Sequence, residues 1–215
     1  ALWWWQGGSR RIFATYGAKA RNGVTLRKVD YEEEKLKLDR RKVEEAVMTA
    51  EVEREFWNGR AAYCRQALEL MREARSMVLP GSLEELDYVI YKTENFITFM
   101  EEFSAVYEAK AAFDRALLAM SAGKGHAAEA GKQLDQTQAA LDRANRLVLE
   151  AARQMIPYAH IPTEKHILWI FNKGRPSHEA ARVYLAEVVA SYKAKTQSEK
   201  PCGSAKGIGP RIPAK

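Results

Sequence analysis

The chain is poor in the residues that bridge or break structure. Only two cysteines occur, Cys64 and Cys202. Cys64 sits in a helical pattern and Cys202 in a loose end, which argues against a disulfide framework and fits a reducing compartment. Glycine and proline, 13 and 7 of them, gather at the ends and at a few inner joints. Between Asp30 and Ser121 the only glycines are Gly59 and Gly81. That distribution is the layout of long helices with short connections. No run of about 18 apolar residues exists, so no transmembrane helix is expected. No acid precedes Asp30.

What is present is a core-forming composition, 47% hydrophobic and 29% charged, with an uneven charge. Residues 1–29 hold six basic side chains and no acid, and residues 193–215 carry a net +5, so the body between them is near −5 within an overall +6. Basic ends attract polyanions: RNA, anionic lipid or acidic protein surfaces. The acidic body argues against a nucleic-acid groove on the body itself. The start, with Trp3, Trp4 and Trp5 followed by Arg10 and Arg11, is acid-poor and Arg-bearing like a mitochondrial presequence. The run Arg11-Ile12-Phe13-Ala14 also resembles a matrix-peptidase cleavage site. A retained basic arm is the plainer reading of the same residues. The chain begins without Met, as a processed start or a fragment does.

Periodicity predicts an all-α fold. A first helix is expected over 30–79, with Val43, Val47, Ala50, Trp57, Ala61, Cys64, Leu68, Met71 and Val78 on one seam, broken by Arg54 and Arg75. Asn58-Gly59 is a candidate kink or split. Glu32, Glu33 and Glu34 are spaced to pair with Lys35, Lys37, Arg40 and Arg41 on that helix. Leu79-Pro80-Gly81 ends it. Ser82, with Glu85 three residues on, forms a capping box for a second helix.

The second helix is apolar on two faces, one from Phe96 through Phe103 to Leu117 and another from Leu86 through Ile97 to Leu118. It is therefore expected to lie between neighbours. An Ala-rich third helix over 126–156, a short segment over 164–171 and a last helix capped by Ser177 complete the pattern. Short joints make successive helices antiparallel. The expected architecture is an elongated antiparallel bundle of three long helices plus two shorter C-terminal ones. Its parts are a basic extended arm over 1–29, a bundle over 30–195 and a basic tail over 196–215.

Chemistry-bearing constellations are scarce. Glu94, Glu101, Glu102 and Glu108 share the second helix, but Glu-x-x-His, which a di-metal bundle site needs, is nowhere in the sequence. His160, Glu164 and His166 are close in sequence yet interrupted by Pro162, so no single helix presents them to zinc. His178-Glu179 is followed by Arg182 where a zinc helix would place its second His. Gly123-Lys124-Gly125 lacks the strand and spacing of a phosphate loop. Cys64 has Arg60 and Arg65 near it but reads as a packed thiol. No catalytic residue, metal or cofactor is expected.

The aromatic cluster Trp3, Trp4 and Trp5, with Arg10 and Arg11, points to contact with a partner or a membrane surface. Lys200, Lys206, Arg211 and Lys215 mark a second contact region in the tail. The expectation is a non-catalytic structural or assembly subunit of a large mitochondrial, membrane-associated complex (a respiratory complex or the ATP synthase), in the matrix or on the inner membrane. Its partners are other protein subunits, with RNA contact open through the basic ends. Two alternatives stand beside it: a mitochondrial ribosomal protein holding rRNA by its tails, and a helical accessory domain of a larger enzyme.

Overall fold

A computed structural model of the chain describes residues 26–28, 31–32, 35–36, 38–155 and 175–198. Among them the fold is all-α, as the periodicity predicts. Four helices follow one another: α1 (Arg40–Ala74), α2 (Leu83–Ser121), α3 (Ala127–Met155) and α4 (Arg175–Ser198). The expected short segment over 164–171 lies outside the described residues.

The start of α1 is later than its sequence pattern suggests. Tyr31–Glu32 and Lys35–Leu36 pair as a minimal antiparallel ladder instead of opening the helix. Asp39 then caps α1, its Oδ1 accepting from the Lys42 N–H at 3.3 Å. Arg40 and Arg41 pair forward along the helix, while Glu33 and Glu34, expected to pair with them, lie outside the described residues. Arg40 meets Glu44 at 2.8 Å and Arg41 meets Glu45 at 3.2 Å. The helix runs through Asn58-Gly59 without a break and ends in a 3-10 turn at Arg75–Met77. Val78, expected on the seam, falls beyond the helix.

A second 3-10 turn, Pro80–Ser82, leads into α2. Ser82 stands at the N-cap, but its side chain makes no capping bond, so the expected capping box does not form. Pro80 places Ser82 inside the tight turn, with φ −111° and ψ 2°, outside the extended geometry a capping side chain needs. Gly123, at φ +98°, makes the reversal after α2, a conformation that strains any other residue. α4 starts at Arg175, two residues before Ser177, because Pro176 is tolerated in a first helical turn. It continues to Ser198, three residues into the stretch read as tail.

Cross-helix contacts fix the directions. Pairing Arg75 with Asp87, Arg72 with Glu94, Arg65 with Glu101 and Glu51 with Arg115 descends α1 while climbing α2, so the two are antiparallel. Asn95 donating to the Ala151 carbonyl at 2.9 Å, with Arg143 on Glu108, sets α3 antiparallel to α2. Tyr192 Oη donating to the Ala127 carbonyl at 3.4 Å, with Arg182 on Asp142 at 3.0 Å, sets α4 antiparallel to α3.

Helix α2 is central, as its two apolar faces predict: 20 of its 39 residues are buried. Its Phe113 and Leu117 form one cluster with Leu134 and Leu141 of α3 and Leu185 and Val188 of α4. Each such side chain contributes roughly 1.5–3 kcal/mol by leaving water. Ala105, Ala109, Ala112 and Ala116 of α2 and Ala130, Ala140 and Ala144 of α3 are buried beside them. Against α1 the contact is aromatic, with Trp57 and Phe103 ring centres 4.7 Å apart. The arm's last residues join this core. Leu26 is 4% exposed and belongs to the cluster, and the partly buried Leu36 and Leu38 pack on it.

Candidate functional site

Helix α1 has two apolar faces, of which one is used internally. Val43, Val47, Ala50, Trp57, Ala61 and Leu68 are buried. At 100° per residue, Met48, Val52, Phe56, Tyr63 and Leu70 project from the opposite side. All five are between 48% and 74% exposed. They span about 33 Å of helix at 1.5 Å per residue. Single exposed apolar residues are ordinary, but a file of them down one helix marks an interaction surface. Met77 and Leu79 extend the apolar exposure to the α1–α2 turn.

The edges of this face differ. On one side run Glu44, Glu51, Glu55, Glu69 and Glu73. Glu44 is held by Arg40 and Glu51 by Arg115. Glu55, Glu69 and Glu73 are exposed, with no ion pair to any described residue. On the other side lie Thr49, Ala67 and Ala74, with Arg60 placing its guanidinium 4.7 Å from the Phe56 ring centre. Gly59 interrupts the file between Phe56 and Tyr63. A Cβ built there meets nothing within 4 Å.

The inner edge of α1 offers a different surface, a polar cleft floored by α2 between α1 and α3. One cavity of about 350 Å³ is lined by Arg54, Asn58, Arg65, Glu101, Glu108 and Arg143. A neighbouring one, about 340 Å³, is reached by Arg72, Glu94 and Gln154. Three of the four carboxylates that could suggest a metal centre are engaged, Glu94 by Arg72 at 2.6 Å, Glu101 by Arg65 and Glu108 by Arg143, and the fourth, Glu102, is buried in α2. Arg54 keeps its Nε buried without an acceptor. Among the described residues no three His, Cys, Asp or Glu side chains gather as a metal set. The cleft is therefore an ion-paired seam between helices. Among the described residues that line it, no hydrogen bond joins a nucleophile to a base.

Local electrostatics agree with structural roles. Burial raises the Cys64 thiol above its ordinary value, and the nearby Arg60 offsets this only in part. The thiol is protonated at neutral pH and is a poor nucleophile. The hydrogen bond from Arg75 lowers the Asp87 carboxyl, and the one from Lys42 lowers that of Asp39. Burial raises the Tyr192 phenol. Lys124 and Gly125 lie in the turn entering α3, next to an exposed His126.

The contact residues expected from sequence, Trp3, Trp4, Trp5, Arg10 and Arg11 and the tail residues Lys200, Lys206, Arg211 and Lys215, lie outside the described residues. So do His160, Glu164 and His166. The outward face of α1 was not among those expectations. Its signal is in the sequence all the same: a second 4-4-7-7 file offset by half a turn from the core seam. No helix among the described residues is long and apolar enough to cross a membrane. No protein-family model, curated protein or solved structure matches this chain.

Proposed function

We propose that the chain is a non-catalytic structural or assembly subunit of a large mitochondrial, membrane-associated complex, such as a respiratory complex or the ATP synthase. In this reading it is an elongated antiparallel helical rod that docks into its assembly along α1, with the basic ends making further contacts. One observation supports it above the others: a long helix whose outer face carries Met48, Val52, Phe56, Tyr63 and Leu70 in contact with solvent. An isolated protein gains nothing by exposing such a file, whereas a subunit buries it on assembly. The mitochondrial assignment draws its support from the acid-free, Arg-bearing start.

The test is to purify the tagged chain from its own cells in mild detergent and size the particle. The proposal expects a mitochondrial assembly holding the chain at fixed stoichiometry. Recovery as a free monomer contradicts it. RNA-dependent recovery with ribosomal particles instead favours the ribosomal reading.

A further inference from the structure

We propose that the outward face of α1 receives an amphipathic helix from a partner subunit, with Lys and Arg along the edge that meets Glu55, Glu69 and Glu73. This inference rests on the subunit reading above and names the chemistry of the partner.

Three features of the face select that occupant. The apolar positions 52, 56, 59, 63 and 70 advance by 4, 3, 4 and 7, the rhythm of a seam that accepts another helix at a shallow angle. Glu55, Glu69 and Glu73 line one edge, exposed and without an ion pair to any described residue. A basic edge opposite them gains attraction and fixes the partner's register. Gly59 sits within the seam, and no atom of the bundle lies within 4 Å of where its Cβ would be. Glycine in a helix interior weakens the helix, and nothing inside this fold requires one here. At an interface it lets a second helix backbone come close.

The same features disfavour other occupants. A second copy laid antiparallel would set the acidic edge against itself. Laid parallel, that edge would meet Thr49, Ala67 and Ala74, with only Lys42 and Arg60 as cations beside the acidic Glu53. An anionic lipid surface would be repelled by the net negative charge of the same edge.

The test uses the full chain and three synthetic helical peptides of the face's own length. All share one Leu/Ile/Ala seam, and their edges are Lys/Arg, Gln or Glu. Fluorescence anisotropy at low salt should show the Lys/Arg peptide binding at least about ten-fold more tightly than the Glu peptide, with the preference shrinking as salt screens it. The variant E55K/E69K/E73K should reverse the order. The variant F56E/Y63E should bind none of the peptides while keeping the helical circular-dichroism spectrum of the parent.

Equal binding of all three peptides, binding of none, or a preference that survives the charge reversal overturns the proposal. A concentration-dependent dimer abolished by F56E/Y63E assigns the face to a second copy and also overturns it. So does adhesion to phosphatidylserine-containing vesicles that F56E/Y63E removes. Peptide binding that appears only after deletion of residues 1–25 assigns the face to the chain's own arm. Should the peptides fail while the chain still purifies in a large particle, this inference falls and the subunit reading stands. Should the chain purify as a free monomer while the peptide preference holds, the reverse is true.

Discussion

Arg27 and Asp114 stand 87 positions apart in the chain, yet Arg27 Nε donates to Asp114 Oδ1 at 3.0 Å. The Asp114 side chain is 11% exposed, so the arm's guanidinium is the counter-charge of a nearly buried carboxylate on the central helix. Tyr184 of α4 reinforces the contact by donating its hydroxyl to the Arg27 carbonyl at 3.2 Å. The end of the basic arm is thus part of the folded body, and its cation has an internal use.

Removing that cation leaves Asp114 without its partner in a poorly hydrated place. Arg27→Met should lower unfolding free energy by about 1–3 kcal/mol, the cost of an unsatisfied buried polar group. Leu26→Ala should cost roughly 2–5 kcal/mol, as for other buried leucines. Urea unfolding followed by circular dichroism measures both. Losses near zero would mean that the arm does not pack on the core.

Gly59 predicts a gain in stability. Its Cβ position is open and its helix is continuous, so Gly59→Ala should raise unfolding free energy by roughly 0.5–1 kcal/mol. The same substitution should weaken docking on the outer face of α1, since the added methyl stands in the seam. Thermal or urea unfolding reads the first effect. A loss of stability would contradict the open geometry.

Acid should loosen the α1–α2 turn. Arg75 lowers the folded pKa of Asp87. A carboxylate lowered on folding contributes its stability fully above the ordinary Asp range, near 4. That contribution fades as pH falls through the lower folded value. Urea midpoints of the parent should therefore drop on acidification, and Asp87→Asn should drop less over the same interval. The pair is exposed, so the difference is a change of slope and not a collapse of the fold. Identical acid slopes in the two proteins would contradict the role given to this pair.

Cys64 should be inert. Its thiol is raised by burial, so in a Cys202→Ser background it should react with a disulfide reagent more slowly than a free thiol at pH 7.5, and catch up on unfolding in urea. Rapid labelling of the native protein would contradict this environment.

Much of the fold was legible because helix periodicity is a physical requirement. Val43, Trp57 and Leu68 had to share a side, and Phe96 through Leu117 had to be covered from more than one direction. The misreadings were local. The charged run after Asp30 has helical spacing, but the chain pairs as a short ladder there and Asp39 caps the helix later. Ser82 has a capping residue's identity without its geometry, because Pro80 winds the chain into a 3-10 turn first.

The candidate site was harder to see. The seam that builds the core is the stronger periodic signal in α1, and it overlies the weaker file of Met48, Val52, Phe56, Tyr63 and Leu70. They look like scattered apolar residues until α1 is known to lie at the side of α2. Spacing shows that a helix has a second apolar face. Which face the bundle leaves open depends on where the neighbouring helices pack.

The most direct test replaces Phe56 and Tyr63 together with Glu in the tagged chain, expressed in its own cells, and compares the particle with that of the parent. Tyr63 is 74% exposed and Phe56 48%, and neither belongs to the buried core, so the variant should keep the parent's helicity and lose little melting temperature. It should leave the large assembly and run as a free chain. A folded variant that remains in the particle at the parent's stoichiometry would show that this face does not hold the chain in place.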